Sequence, residues 1–167
     1  MIVVEPRVVQ KPSQHYVGKR DVIEMSAQPQ FIPNAIGEVM AWASTNAELA
    51  GQPPFMRFWC IDMPGRMDVE IGVPVRNAVE PGAGLTAGTL PAGRYAALEY
   101  ANIAEGIAGN AHLLQWMAKE GHTADSWSAP EGEAFAARLE AYLSDPSTEP
   151  DPAKWVTEVA ILLKGES

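Results

Sequence analysis

The chain repeats itself once, and that duplication constrains its fold more than any local motif does. Pro12-Ser-Gln-His-Tyr16 matches Pro91-Ala-Gly-Arg-Tyr95 at an offset of 79, with apolar residues after both tyrosines. A helical pattern follows in each half, Ile36, Val39, Met40, Trp42 and Ala43 in the first and Asn110, Leu113, Leu114, Trp116 and Met117 in the second, at an offset of 74. Spacing of this kind gives a helix one buried face. Gly51 and Gly121 stand beyond the two runs as helix stops. Period 2 then replaces 3.6. Phe55-Met-Arg57-Phe-Trp59-Cys-Ile-Asp62 lies over Arg138-Leu-Glu140-Ala-Tyr142-Leu-Ser-Asp145 at an offset of 83, and Asp68-Val-Glu70-Ile-Gly-Val-Pro-Val75 over Val156-Thr-Glu158-Val-Ala-Ile-Leu-Leu163 at 88.

Each half therefore reads strand, helix, strand, strand, which is too small to bury its own sheet face. The expected fold is α+β: tandem duplicated β-α-β-β halves, about 1–80 and 84–164, related by a pseudo-twofold axis with a central ligand groove. The whole of 1–167 is expected to be a single domain. Pro81-Gly-Ala-Gly84 is the joint between halves, and the Pro-rich stretch from Asp145 to Pro152 reads as a hairpin connection because a period-2 strand stands on each side.

Charge narrows the function classes. The chain of 167 residues has 12 lysines and arginines against 21 acidic residues, a net charge of −9. Phosphate would repel it, so no direct nucleic-acid partner is expected. Cys60 is the single cysteine, which points to a reducing, cytoplasmic setting. The N-terminal Met1-Ile-Val-Val-Glu-Pro lacks the pattern of a signal peptide, and no apolar run is long enough to span a membrane. His15, His112 and His122 form no HExxH pair, and the lone cysteine cannot build a thiolate cage, so no metal is expected. Neither a G-x-G-x-x-G turn, a Walker lysine nor a G-x-S-x-G elbow occurs, which leaves no anchor for a nucleotide cofactor or a serine nucleophile.

The order and spacing of five segments carry a resemblance: Pro53-Pro-Phe-Met-Arg57-Phe-Trp59, Val69-Glu70-Ile-Gly-Val-Pro74-Val, Leu90-Pro-Ala-Gly-Arg-Tyr95, Leu139-Glu140-Ala-Tyr142-Leu-Ser-Asp145-Pro and Trp155-Val-Thr-Glu158-Val. Together they resemble the GyrI-like family, the effector-binding domain also found at the C-terminus of multidrug-sensing transcription regulators such as BmrR and Rob. The resemblance implies a groove that takes bulky, hydrophobic and often cationic compounds. It implies that Glu140 is the main polar contact and Glu158 a second one. Some stand-alone family members are described as gyrase-modulating, and a subset hydrolyses electrophilic cyclopropane-containing genotoxins with a pocket glutamate. The duplication begins by about residue 12 and ends by about 163, so no helix-turn-helix domain is expected.

At the residue level, period 2 puts Arg138, Glu140 and Tyr142 on one strand face and Leu139, Ala141 and Leu143 on the other. With the apolar set assigned to the helix-packed core, Glu140 and Tyr142 line the groove, and by pseudo-symmetry Arg57 and Trp59 line it from the other half. Glu158 sits among apolar neighbours, either as a ligand contact or in an ion pair with Arg57 or Arg94. Trp42 and Trp116 lie on the helical stripes and read as core, whereas Tyr16, Tyr95, Trp59 and Tyr142 offer flat faces for stacking and cation–π contact of about 0.5–2 kcal/mol each. The expected function is binding of a bulky aromatic or cationic small molecule for sensing or sequestration. A hydrolase using Glu140 or Glu158 as general acid/base is the alternative, and a protein partner or a homodimer through edge strands is a further expectation.

Overall fold

The computed structural model describes residues 1–165. In chain order the elements are β1 (Ile2–Lys11), β2 (Gln14–Glu24), α1 (Gln28–Asn46), β3 (Phe55–Met63), β4 (Arg66–Pro74), β5 (Thr86–Leu90), β6 (Gly93–Ala101), α2 (Gly106–Glu120), β7 (Ser126–Ser128), β8 (Glu133–Phe135), β9 (Arg138–Tyr142) and β10 (Val156–Leu162). Each helix buries one line of small or apolar residues: Ala35, Val39 and Ala43 in α1, and Gly109, Leu113 and Met117 in α2. These lines superpose at the offset of 74 read from the sequence. Gly121 ends α2 at a φ of 76°, the left-handed conformation that favours glycine, and the His122 N–H then donates to the Met117 carbonyl at 2.8 Å. Gly51 does not cap α1, which stops earlier with Ala47.

All ten strands of the described residues join one antiparallel sheet, whose main path is β1-β6-β10-β9-β3-β4-β2-β5. That order is symmetric about the β9–β3 junction. Each half opens with a strand that the sequence pattern did not give, β1 before β2 and β5 before β6, and the second half adds the short β7 and β8. Both opening strands are exchanged. β1, from the first half, pairs with β6 of the second, and β5 pairs with β2 of the first. β1 is rich in β-branched residues, Ile2, Val3, Val4, Val8 and Val9, but its partner lies in the other half, so no hairpin pattern marks it, and the edges of the sheet are set by this exchange.

Pairing fixes the equivalence of the halves. Tyr16 pairs with Pro74 and Tyr95 with Leu162, so matching Tyr16 to Tyr95 matches Pro74 to Leu162 and reproduces the offset of 88 on the last strands. Arg57 pairs with Glu70, while Glu158 pairs with Ala141. The counterpart of Arg57 is therefore Ala141 and that of Glu140 is Met56, an offset of 84 rather than 83. A one-residue slip moves every side chain of a strand to the other face, and the assignment of groove residues turns on it.

The sheet curls into a half-barrel. On its inner face Tyr16, Phe55, Tyr95, Ala97, Leu139, Ala160 and Leu162 form one apolar cluster. Two glycines make room for the rings there. A Cβ on Gly72 would lie 2.3 Å from the Phe55 ring, and one on Gly88 would lie 2.5 Å from the Tyr16 hydroxyl. On the outer face α1 packs over β2 and β4, and α2 over β1, β6 and β10, which leaves the central β3–β9 pair as a floor between the two helices. Among the described residues no helix is long and apolar enough to cross a membrane.

Candidate ligand site

The floor between the helices is built from alternate residues of β9 and β3. Arg138, Glu140 and Tyr142 project to this side, with Met56 directly opposite Glu140 in the adjacent strand. Asn110 reaches down from α2 and bridges two of them. Its Nδ2 donates to Glu140 Oε1 at 3.1 Å, and its Oδ1 accepts from Arg138 Nη2 at 3.1 Å. Burial pushes the Glu140 carboxyl above its usual pKa, against the opposing pull of the Asn110 hydrogen bond and the Arg138 charge. Burial likewise lowers the pKa of Arg138, whose guanidinium lies 5.0 Å from the Phe135 ring centre and 5.9 Å from that of Phe58.

Tyr142 completes the floor. Its hydroxyl is shielded from solvent and has no hydrogen-bond partner among the described residues. Burial raises its pKa, with the Glu140 charge and Tyr100 adding to the effect. Tyr100, pushed up to about 12 by burial and by Glu140, stands behind α2 at Gly109, where a Cβ would lie 2.8 Å from its ring. Phe31, Ile32 and Ile36 of α1 pack with Met56, Phe58 and Tyr142 to make one wall. Ile107 and Leu114 fall on the stripe of α2 that carries Asn110, with Ile103 in the short turn just before the helix, and all three are exposed, Ile107 to 87%. Asn110 anchors this stripe to the floor, which places these apolar side chains on the α2 flank of Glu140.

The inner face carries different chemistry. Glu70, 2% exposed, accepts hydrogen bonds from Tyr16 Oη, Thr86 Oγ1 and Trp59 Nε1, the last at 3.0 Å. Arg57 donates to Tyr16 Oη at 3.1 Å and to the Ala136 carbonyl at 2.8 Å, and its guanidinium carbon lies 3.8 Å from the Trp59 ring centre. Arg20 reaches the same ring at 4.3 Å while its Nε and Nη2 donate to the two Asp68 oxygens. At the equivalent position of the other half, Glu158 accepts from Lys11 Nζ at 2.8 Å and lies 3.9 Å from Arg7 Nη2. Tyr95, pushed up to about 12 by burial, donates to the Pro91 carbonyl.

A sequence model for the GyrI-like small molecule binding domain matches residues 4–164. The chain belongs to the GyrI-like family. Among solved structures, the EcmrR C-terminal domain superposes with a TM-score of 0.78 at 16% identity, covering 99% of this chain and 100% of that one. A hydrolase from Listeria innocua gives 0.66 at 17% identity, over 98% and 94% of the two chains. SAV2435 bound to tetraphenylphosphonium gives 0.64 at 15% identity, over 96% and 94%. At such identities the likeness is one of fold. No curated protein sequence matches the chain.

Within this GyrI-like fold the residues expected to share one groove divide between two faces. Glu140 and Tyr142 stand on the helix side. Arg57, Trp59, Tyr16, Tyr95 and Glu158 stand on the inner side, where Arg57, Tyr16 and Tyr95 are buried. The assignment of Leu139 and Ala141 to the helix-packed core is corrected for the same reason: Leu139 packs with the inner cluster, and Ala141 against it. The curl covers one face of β9 with the apolar inner cluster, while its other face is the floor between the two helices, so the apolar residues mark the inner side and not the helix side. Glu158 pairs with Lys11 and Arg7, both from the exchanged strand β1, instead of Arg57 or Arg94. The pair Glu140 and Glu158 thus has no shared cavity in which to act together. Asn110 was the residue the site needed and the pattern hid. An amide inside an otherwise apolar helical stripe was its available signal.

Proposed function

We propose that this GyrI-like domain binds bulky aromatic small molecules in the cleft between α1 and α2, over the floor of Glu140 and Tyr142. One observation carries the reading: a carboxyl with a raised pKa and a buried, unpartnered hydroxyl stand together between apolar walls. Leaving a buried polar group unpaired costs about 1–3 kcal/mol, which a ligand can recover. The exposed isoleucines on the α2 flank supply apolar surface that a ligand would bury. The tetraphenylphosphonium bound by SAV2435 is of the bulky aromatic class. Sensing or sequestration in the cytoplasm is the role that fits a binding cleft without cofactor motifs. Titration calorimetry with a panel of aromatic dyes tests it. Binding should weaken at least fivefold in Ile107→Asp and in Glu140→Gln, and equal affinities in wild type and both variants would reject the site.

A hydrolytic reading is favoured by one specific feature, the elevated Glu140 pKa. A carboxyl poised above its usual range can hold a proton for a leaving group and, once ionised, accept one from water. Its test is turnover: an electrophilic substrate in molar excess should be consumed by wild type and left intact by Glu140→Gln. Uptake in stoichiometric amount without product would reject catalysis.

A further inference from the structure

The floor of the cleft already contains a cation. Arg138 is two residues from Glu140 on the same strand face, is 8% exposed, and is tied to the carboxylate through the two ends of the Asn110 amide. Its guanidinium lies beside the Phe135 and Phe58 rings and donates to Asn110, contacts that hold it in the floor. An incoming permanent cation that approaches Glu140 therefore also approaches Arg138, in surroundings where like charges are weakly screened. Nor is Glu140 short of donors at Oε1, since Asn110 occupies it.

What the Tyr142 hydroxyl lacks is an acceptor. The Tyr142 hydroxyl is buried without a partner, and a phenol in that state gains most from an oxygen that accepts its proton. The geometry points to a neutral aromatic ligand with a strong hydrogen-bond acceptor, held by the Tyr142 hydroxyl, and to Arg138 as the residue that selects against permanent cations. This selectivity rests on the binding site proposed above and names the chemistry it takes. Asn110 is the positioning residue in this arrangement: its amide holds the carboxylate and the guanidinium at fixed distance, so neither is free to neutralise a foreign charge.

Two probes of similar bulk separate the outcomes. Triphenylphosphine oxide is neutral and presents a phosphoryl acceptor, while tetraphenylphosphonium is a permanent cation of comparable aromatic surface. Calorimetric titration of the wild-type chain should give at least tenfold tighter binding of the oxide. In Arg138→Gln, where the glutamine amide can still donate to Asn110, the cation should gain at least tenfold while the oxide changes less than threefold. In Tyr142→Phe the oxide should weaken at least fivefold with the cation unchanged. Preference of wild type for the cation overturns the selectivity while leaving the cleft as the site, and so does an equal response of both probes to Arg138→Gln. If Arg138→Gln does not fold, the wild-type ratio and Tyr142→Phe decide. Binding of neither probe overturns the cleft as a ligand site, and the selectivity with it.

Discussion

Glu70 and Glu158 occupy the same position in the two halves, yet Glu70 is sealed by Tyr16, Trp59 and Thr86 while Glu158 is held by Lys11 and Arg7, whose side chains are 32% and 37% exposed. Duplication supplied one carboxylate twice. Divergence on the neighbouring strands then gave the two copies different partners, because position 7 of β1 and position 86 of β5 are themselves equivalent and carry arginine and threonine.

The first prediction follows from that contrast. Tyr16→Phe removes the hydroxyl that both donates to Glu70 and accepts from Arg57, and it leaves two buried charged groups short of a partner. The expected loss is about 1–3 kcal/mol of stability. Glu158→Gln should cost about 1 kcal/mol or less, as for a solvent-screened pair. Urea denaturation of the two variants checks the order, and equal losses would contradict the account.

A second prediction concerns the space above the glycines. Gly72→Ala places a methyl group against the Phe55 ring, which itself packs edge-on to Tyr16 at 5.1 Å. Overpacking of this kind costs about 1–3 kcal/mol. The cost should shrink when Phe55→Leu is combined with it. A double-mutant cycle in thermal or urea unfolding measures the coupling, and strict additivity would show that the ring is not the obstacle.

Glu140 makes stability depend on pH. Because burial raises its pKa in the folded protein, the folded state holds this proton more tightly than the unfolded chain does. Its contribution is complete below the ordinary glutamate value and is lost as pH rises through the folded-state pKa. Glu140→Gln should flatten that part of the stability profile. Urea midpoints measured from acid to neutral pH decide, and an unchanged slope in the variant would assign the dependence to another group.

Flank and floor should separate function from folding. Ile107 is exposed to solvent, so Ile107→Asp should alter stability by no more than about 0.5 kcal/mol. Ligand affinity should nevertheless fall at least fivefold, because the charge enters on the α2 flank of the cleft. Parallel unfolding and binding measurements on one preparation test both halves of the statement, and retained affinity would take this flank out of the site.

The sequence by itself determined the duplication, the two helices with Val39, Ala43, Leu113 and Met117 of their buried lines, and the company Glu140 keeps on its strand. Those are consequences of periods of 3.6 and 2, which any short window displays. It also placed the connection from Asp145 to Pro152 between two paired strands, as β9 and β10 show. Tertiary structure decided the rest. The exchange of β1 and β5 depends on contacts between halves that are remote along the chain. The one-residue difference between offsets 83 and 84 is fixed by ladder pairing, not by side-chain likeness. Above all, the side of β9 that the helices flank follows from the curl of the whole sheet, which buries Leu139 as fully against Tyr16 and Phe55 as a helix would have done. The alternation of β9 shows which residues share a face, but a curled sheet has an apolar inner side as well as a helix side, and only the curl tells them apart.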